Sequence, residues 1–440
     1  MKKAIKILLI VWLLSLCAGM AVFAQSGINV RDIYGTLDPK RDFEPTRISV
    51  EDAKYVGIDF ITAADTTIMR NCVVILQNDL DFSPLFEIVP FDSFFLRHME
   101  IEQMSILAWK TLGARYVVKL EAEFPRDRIR LRYRLFSTDD GREIRREGFE
   151  LEKLNYRVLV HEVANDIVKF LTGDEGIYRT KIIFSKQDGE ARELYIADYD
   201  GYNARPITNN KSVNISPSVT PDGQYVYFTS YMDGRPKIYM LDLKTNEVDL
   251  IADYPGINAA PQISPDGKYI ACVLSKDGNS EIYLLERNGK IKKRLTYSWA
   301  IETSPTWSPN GKEIAFTSDR TGSPQVYIMD AEGLNVRRLT YQGNYNDSPC
   351  WSPKADQIIF VTRDGSFKVA ATNINGGEYR YLAEIGSNEN PHFSPDGYHI
   401  VFASNRLSDY DIYTMDIFGN NQYKITNGGG CTNPAWVPEK

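Results

Sequence analysis

From about Thr180 onward the chain alternates runs of four to six apolar and β-branched residues with clusters of Gly, Asp, Asn and Pro. That alternation predicts short strands joined by tight turns. The pattern repeats. A phrase of the form P-x-h-S-P-D-G, with h apolar, recurs as "PSVTPDG", "PQISPDG", "PTWSPNG", "PCWSPKA", "PHFSPDG" and "PAWVPEK". Its first prolines are Pro217, Pro261, Pro305, Pro349, Pro391 and Pro434, so the period is 42 to 44 residues. Each period carries four strands: a ("PTW"), b ("YVYFTS", "EIAFTSD", "HIVFAS"), c with an apolar-Tyr pair (Tyr195, Tyr239, Tyr283, Tyr327, Tyr413, with Ala370 the exception) and d ("PIT", "RLT", "KIT"). Four antiparallel strands in such a period predict one blade of a β-propeller. Strands b, c and d begin at "TKIIFS" with no strand a before them, whereas the sixth strand a, "NPAWV", has no strand b after it. The two fragments make one blade, predicting a six-bladed ring closed by the last strand and free of exposed edges.

Between about residues 45 and 172 the periodicity changes. "RISV" and "LFEIV" read as short strands, and "TAADTTIMRNCVVILQNDL" carries Ile68, Cys72, Ile75 and Leu76 at helical spacing. "EIEQMSILAWKTLGA" reads as a helix ending at Gly113. Three strands follow, at "RYVVKLEAEF", "RIRLRYRLFS" and "IRREGFEL". A long helix, "NYRVLVHEVANDIVKFLTG", has Leu159, Val163, Ile167 and Phe170 on one face and Gly173 beyond its end. The expected fold class is therefore multi-domain: a small α/β N-terminal domain followed by the all-β six-bladed propeller. The expected division is a signal peptide over 1–24, a mobile arm and the α/β domain over 25–174, and the propeller over 175–440.

The first residues, "MKKAIKILLIVWLLSLCAGMAVFAQ", pair a basic start with an apolar run that reaches Ala24, as in a cleaved secretory signal, with a retained transmembrane anchor as the alternative because the run is nearly long enough to span. A lipid anchor on Cys17 is disfavoured because Leu16 precedes it. Behind the signal, Cys72, Cys272, Cys350 and Cys431 match no metal spacing and are expected as free, mostly buried thiols. The net charge of −7 argues against nucleic acid as a partner.

Catalytic signatures do not occur: there is no G-x-S-x-G, S-x-x-K, H-E-x-x-H, C-x-x-C or phosphate loop. "HEVAN" has Asn165 where a zinc helix needs its second histidine, so His161 is expected as an ordinary helix residue. "DYDGYN" invites calcium, but Asp198, Asp242, Glu286, Asp330, Asn373 and Asp416 share one register, so this acid is expected to hold the c–d turn of each blade. Arg128, Arg130, Arg132 and Arg134 alternate along one strand. They form either a solvated face balanced by acids or a cationic surface for an acidic partner. No enzyme activity, metal or cofactor is expected.

Ring geometry supplies the candidate site. The connections from strand d to the next strand a converge on one rim, and they are polar, Asn-rich and Pro-terminated. Asn258, Ala259, Thr303, Asp347, Glu389, Asn390 and Asn433 are expected to form a polar ring there, with Trp299, Ile301 and Tyr345 as apolar anchors.

The phrase "FLTGDEGIYRTKIIFS", the junction "LYIADYDGYNARPIT", the segment "LAWKTLGARYVV" and the repeats together resemble the TolB family of periplasmic Tol-Pal proteins. The resemblance covers nearly the whole chain after the signal. It implies a monomeric, non-enzymatic periplasmic scaffold whose propeller rim binds the lipoprotein Pal, linking envelope layers during cell division and outer-membrane maintenance. It also implies TolA and other Tol components as partners of the N-terminal arm. There "RDIYGTLDPKRDFEPTRISVEDAKYVG" stands where the family carries a strand leading into IAV-x-PF. Two alternatives from other classes are a periplasmic propeller that binds a small molecule and a peptidase-like cap. In the fifth repeat Lys354-Ala355 replaces Asp-Gly and the hairpin "TRDGSFKV" is short, so that part of the ring is expected to be altered.

Overall fold

The computed structural model describes residues 44–58, 60–90 and 106–439. The signal peptide, nearly all of the arm and the first part of the "EIEQMS" helix lie outside the described residues.

The N-terminal layer is a mixed sheet under two long helices. Its strands are β1 (Thr46–Val50), β2 (Lys54–Tyr55), β3 (Phe86–Ile88), β4 (Tyr116–Glu123), β5 (Arg128–Ser137) and β6 (Glu143–Glu152), in the order β3-β1-β4-β5-β6, with β2 continuing beside β4. β1 runs parallel to β3 and β4, and β4, β5 and β6 are antiparallel. Helix α1 (Ala63–Phe82) starts where Thr62 and Asp65 form a reciprocal capping box. Helix α2 (Ile106–Thr111) is short. Helix α3 (Tyr156–Thr172) stops at Gly173, whose φ of 81° permits the left-handed turn. Cys72, Leu76 and Leu80 of α1 meet Leu159, Val163 and Ile167 of α3 over Ile129, Leu131 and Leu135 of β5, all buried in one core.

Six four-stranded sheets follow. In blade 1, strand a (Cys431–Val437) pairs with b (Lys181–Asp188), c (Ala191–Asp198) and d (Arg205–Pro206). The closing ladder runs from Cys431 opposite Lys186 to Val437 opposite Lys181. The ring therefore closes with the strand expected from the repeat count.

Turn chemistry explains the repeated phrase. In blade 3, Ser264 Oγ donates to Asp266 Oδ1 at 2.6 Å, Asp266 accepts from the Lys268 N–H at 3.1 Å, and Gly267 takes a φ of 70°. Blades 2 and 4 repeat the arrangement with Thr220–Asp222 and Ser308–Asn310. In blade 5 the turn survives without Gly because Ala355 adopts a φ of 62°, a conformation that costs a residue bearing a Cβ about 1 to 2 kcal/mol.

In blades 1, 3, 4 and 6 strand d is shorter than its sequence suggests. Its threonine leaves the ladder to cap strand c of the same blade: Thr208, Thr296, Thr340 and Thr426 accept from the N–H groups of Leu194, Ile282, Val326 and Ile412 at 2.8 to 3.0 Å. Four of the five strand-c tyrosines stand opposite strand-b phenylalanines, as in Phe316–Tyr327 and Phe402–Tyr413, with ring centroids 6.0 Å apart, and Tyr283 stands opposite Cys272. The four described cysteines are free and buried, and burial pushes the Cys72 and Cys350 thiols up to about 12.

The two layers share a continuous core. The N-terminal layer sits on the face made by the a–b and c–d turns, where Phe82 of α1 stacks on His399 at 4.2 Å and Tyr398 Oη donates to Asp174 Oδ2 at 2.7 Å. The d–a and b–c connections form the opposite face.

Candidate partner-binding face

Every strand a carries a register shift at its proline, between Thr303 and Thr306 in blade 4 for example. The residue before each proline is left-handed: Ser216, Ala260, Ser304, Ser348, Asn390 and Asn433 have φ between 50° and 53°. None is glycine, so the ring holds backbone strain at six equivalent points around its axis. These bulges line the mouth of the channel on the open face, where a cavity of about 120 Å³ lies among them and their prolines. Asn390 and Asn433 thus reach the rim as the sequence suggests, and their neighbours at the same position are Ser and Ala.

One position earlier around the ring stand Ile215, Ala259, Thr303, Asp347, Glu389 and Thr432. The acids occupy adjacent blades. Asp347 Oδ1 accepts from the Ser348 N–H at 2.6 Å and from Ser304 Oγ at 3.3 Å, and its Oδ2 accepts from Tyr345 Oη at 3.0 Å. Glu389 accepts the hydroxyl of Tyr410, which burial and that carboxylate push up to about 12. The rim is therefore lopsided, acidic at blades 5 and 6 and apolar at blades 2 and 3.

Asn258 is a correction. It was expected in the polar ring, but it is fully buried. Its amide donates back to the Tyr254 carbonyl at 2.7 Å and the Gly256 carbonyl at 3.2 Å. Asn214, Asn346 and Asn388 occupy the same register and tie down their own connections in the same way. These asparagines shape the loops and do not reach a partner, because loop carbonyls without water need internal donors.

The apolar anchors divide. Trp299 is 82% exposed and Ile301 53%, whereas Tyr345 is half-buried beneath Phe367, with centroids 5.5 Å apart. Phe367 reaches that place because the tight hairpin turning at Gly365 extends strands b (Gln357–Asp364) and c (Ser366–Asn373) of blade 5. Two residues escaped the sequence reading, Tyr297 and Tyr341, exposed at 76% and 67%. The signal was present as the tetrapeptide "RLTY", used in register in blades 3 and 4. In each copy the arginine Nε donates to the threonine carbonyl and the guanidinium covers the tyrosine ring, at 4.6 Å for Arg294–Tyr297 and 4.9 Å for Arg338–Tyr341. Tyr297, Trp299, Ile301 and Tyr341 are thus exposed on the two successive d–a connections that lead into blades 4 and 5, three of the four being aromatic.

Other candidates resolve differently. Arg128, Arg130, Arg132 and Arg134 of β5 are each paired with a glutamate, from Glu121 and Glu123 of β4 and Glu143 and Glu150 of β6, so this face is balanced. The c–d acids hold their turns, Asp330 Oδ1 accepting from the Leu334 N–H at 2.7 Å and Asp416 Oδ1 from the Asn420 N–H at 2.8 Å. His161 is not an ordinary helix residue. It is buried, with Nδ1 at 2.8 Å from Asp79 Oδ2 of α1.

Comparison with known proteins adds the following. The TolB amino-terminal domain description matches residues 41–144, and the TolB beta propeller domain description matches residues 168–440. The chain is 32% identical over 251 residues to the Tol-Pal system protein TolB of Nitrosomonas europaea, covering 56% of this chain and 53% of that one, so the match spans about half the length of that relative. The crystal structure of TolB from Acinetobacter baumannii superposes with a TM-score of 0.76 at 27% identity, covering 90% of this chain and 98% of that one. A chain of a nidogen/laminin complex, at 13% identity and a TM-score of 0.50 over 59% of this chain and 99% of that one, shares the fold alone.

Proposed function

The chain belongs to the TolB family, and from that premise we propose that it is a non-enzymatic periplasmic scaffold of the Tol-Pal system. Its open propeller face receives a Pal-type peptidoglycan-associated lipoprotein. The observation that carries this reading is the exposure of Tyr297, Trp299, Ile301 and Tyr341 on successive connections of the face whose channel mouth is acidic on one side. Soluble proteins rarely leave large apolar side chains grouped in this way unless a partner covers them, and Tyr and Trp are the residues that dominate binding energy when covered.

In this reading Trp299 and Ile301 anchor the partner, Thr303, Asp347, Glu389, Asn390 and Asn433 set its register, and Ala259 supplies a flat contact. The signal over 1–24 delivers the chain to the periplasm and is cleaved after Ala24. Residues 25–174 carry the arm, which contacts TolA or other Tol components, and the α/β domain, with the propeller from 175. Joining these partners serves cell division and outer-membrane integrity.

Calorimetry with the soluble domain of a Pal-type lipoprotein tests the face. The pair Thr303→Arg and Glu389→Lys is expected to weaken binding by about 2 to 4 kcal/mol through clash and misplaced charge, with melting unchanged. Unchanged affinity in the folded variant rejects this face as the site.

A further inference from the structure

The seam between the N-terminal layer and the propeller concentrates buried titratable groups that the partner-binding face does not use. Two of the four histidines of the chain lie there, His161 at 5% and His399 at 1% exposure. Among the described residues, each has one ring nitrogen engaged and the other without a formed hydrogen bond. His161 engages Asp79 through Nδ1, and its Nε2 is unbonded. His399 Nε2 donates to the Phe82 carbonyl of α1 at 2.8 Å, and its Nδ1 lies 3.4 Å from Asp396 Oδ2 without a formed bond. Asp79 Oδ1 also accepts the hydroxyl of Tyr199, from the c–d turn of blade 1, at 2.5 Å. Thus α1 grips the propeller at two points, each centred on a histidine and a carboxylate.

Around Asp79 stand His161 from α3, Tyr199 and Asp200 from blade 1, and Tyr178 from the linker, with Arg157 of α3 paired to Asp200. Around His399 stand Asp396 on its own turn, Phe82 from α1, Trp436 from the closing strand, and the Tyr178 hydroxyl near Asp396. Asp81 of α1 faces the Tyr423 hydroxyl, and Lys354 and Tyr398 hold Asp174.

The proton balance at both points has the same sign. With neutral imidazoles, His161 gives its Nδ1–H and Tyr199 its O–H to the Asp79 carboxylate, and the couple buries one negative charge. One proton added at His161 turns the couple into an imidazolium–carboxylate pair of zero net charge. One proton added at His399 Nδ1 points at Asp396 and converts an unmade contact into a charge-assisted bond. We propose that this seam is a proton-tightened latch: mildly acidic solution strengthens the docking of the N-terminal layer on the propeller, and mildly alkaline solution loosens it. The latch operates whichever partner occupies the open face.

The carboxylates bound the window. Burial pushes the Asp79 carboxyl up, against the pull of His161 and Tyr199. A raised carboxyl contributes stability that is complete below the ordinary carboxylate range and is lost as the pH rises through its raised value. At Asp396 burial acts upward too, but the neighbouring His399 ring, together with bonds from Ser394 and the Tyr398 N–H, outweighs it and holds the carboxyl below its usual range. That contribution is lost only when the pH falls through the lowered value. The latch is therefore tightest in mild acid and releases again in strong acid.

Amide exchange on the full chain between pH 5.5 and pH 8, normalised for the chemistry of exchange, tests the proposal. Protection across Phe82–Ile88 and the Gly173–Thr180 linker is expected to rise about tenfold toward pH 5.5, equal to one proton-linked step. Strand b of blade 4, far from the seam, is expected to stay level. Asp79→Asn with His399→Gln is expected to flatten the response. A flat wild-type profile, or an equal rise in blade 4, overturns the latch. Proton NMR of the wild-type imidazoles, assigned with His161→Gln and His399→Gln singly, decides the matter if the double variant does not fold. Resonances of His161 and His399 that fail to titrate between pH 5 and pH 8 in the folded protein also overturn it.

Discussion

The two faces of the propeller are built from the same repeat and behave in opposite ways. On the face of the a–b turns, aromatic and titratable groups are covered: Phe82 lies on His399, Tyr199 reaches Asp79, and Trp436 Nε1 donates to Thr180 Oγ1 at 2.7 Å. On the face of the d–a connections, Tyr297, Trp299 and Tyr341 stand in solvent. The difference lies in what each connection must satisfy. The a–b turn closes on itself through Ser, Asp and Gly in three or four residues and leaves a flat surface that another layer can cover. The d–a connection is longer, is tied from inside by a buried Asn in four of the six blades and from the axis by a strained bulge in all six, and is free to display its tip. A sixfold scaffold thus separates a face for joining from a face for presenting.

Breaking the covered face is expected to have the largest effect. Trp436→Ala removes a buried indole and its bond to Thr180 at the closing ladder, and should cost about 3 to 5 kcal/mol in denaturant unfolding. A parent-like midpoint would show that the closing strand adds little. Next, Tyr199→Phe withdraws a donor from the buried Asp79 carboxylate and should cost about 1.5 to 3 kcal/mol, while leaving affinity for a partner on the far face untouched. Loss of that affinity would mean that the two faces are coupled. On the open face the effects should invert. Trp299→Ala is expected to shift stability by no more than about 0.5 kcal/mol and to weaken partner binding by about 2 kcal/mol, read by calorimetry beside a melt. The smallest effect tests the turn itself. Ala355→Gly relieves the left-handed strain in blade 5, offset by the extra freedom of Gly when unfolded, for a net gain of about 0.5 kcal/mol. A loss would show that the Ala355 methyl packs better than the turn demands.

The ring was legible in the sequence because its turn chemistry is local: a Ser-Pro-Asp-Gly needs only its own atoms to form, and counting it counts blades. Helix α1 was legible from the spacing of Ile68, Cys72, Ile75 and Leu76, and α3 from its apolar face and Gly173. What escaped depends on distance. Asn258 reads as a surface amide until its loop folds back over it. His161 reads as an ordinary helix residue because Asp79 lies 82 positions away. The threonine of "RLT" looks like strand, yet it leaves the ladder to cap strand c of its own blade. Of the candidate face, register places the residues beside each proline at the channel mouth, while the "RLTY" of Tyr297 and Tyr341 takes on meaning only with the exposure that three dimensions supply.

The closing ladder also sets an order of events. Thr180 and Trp436 meet across 256 positions of chain, and loop entropy makes that separation only slightly more expensive at equilibrium than a loop half as long. In time it is very different, since contacts between distant segments form last. Emerging amino end first, the N-terminal layer has α1, α3 and its sheet in hand while blade 6 and the strand that closes blade 1 are still to come. His399 and Trp436, which that layer grips, both belong to these late arrivals. Completion of the seam therefore follows closure of the ring, and a chain caught before that moment holds only its Asp79–Tyr199 half.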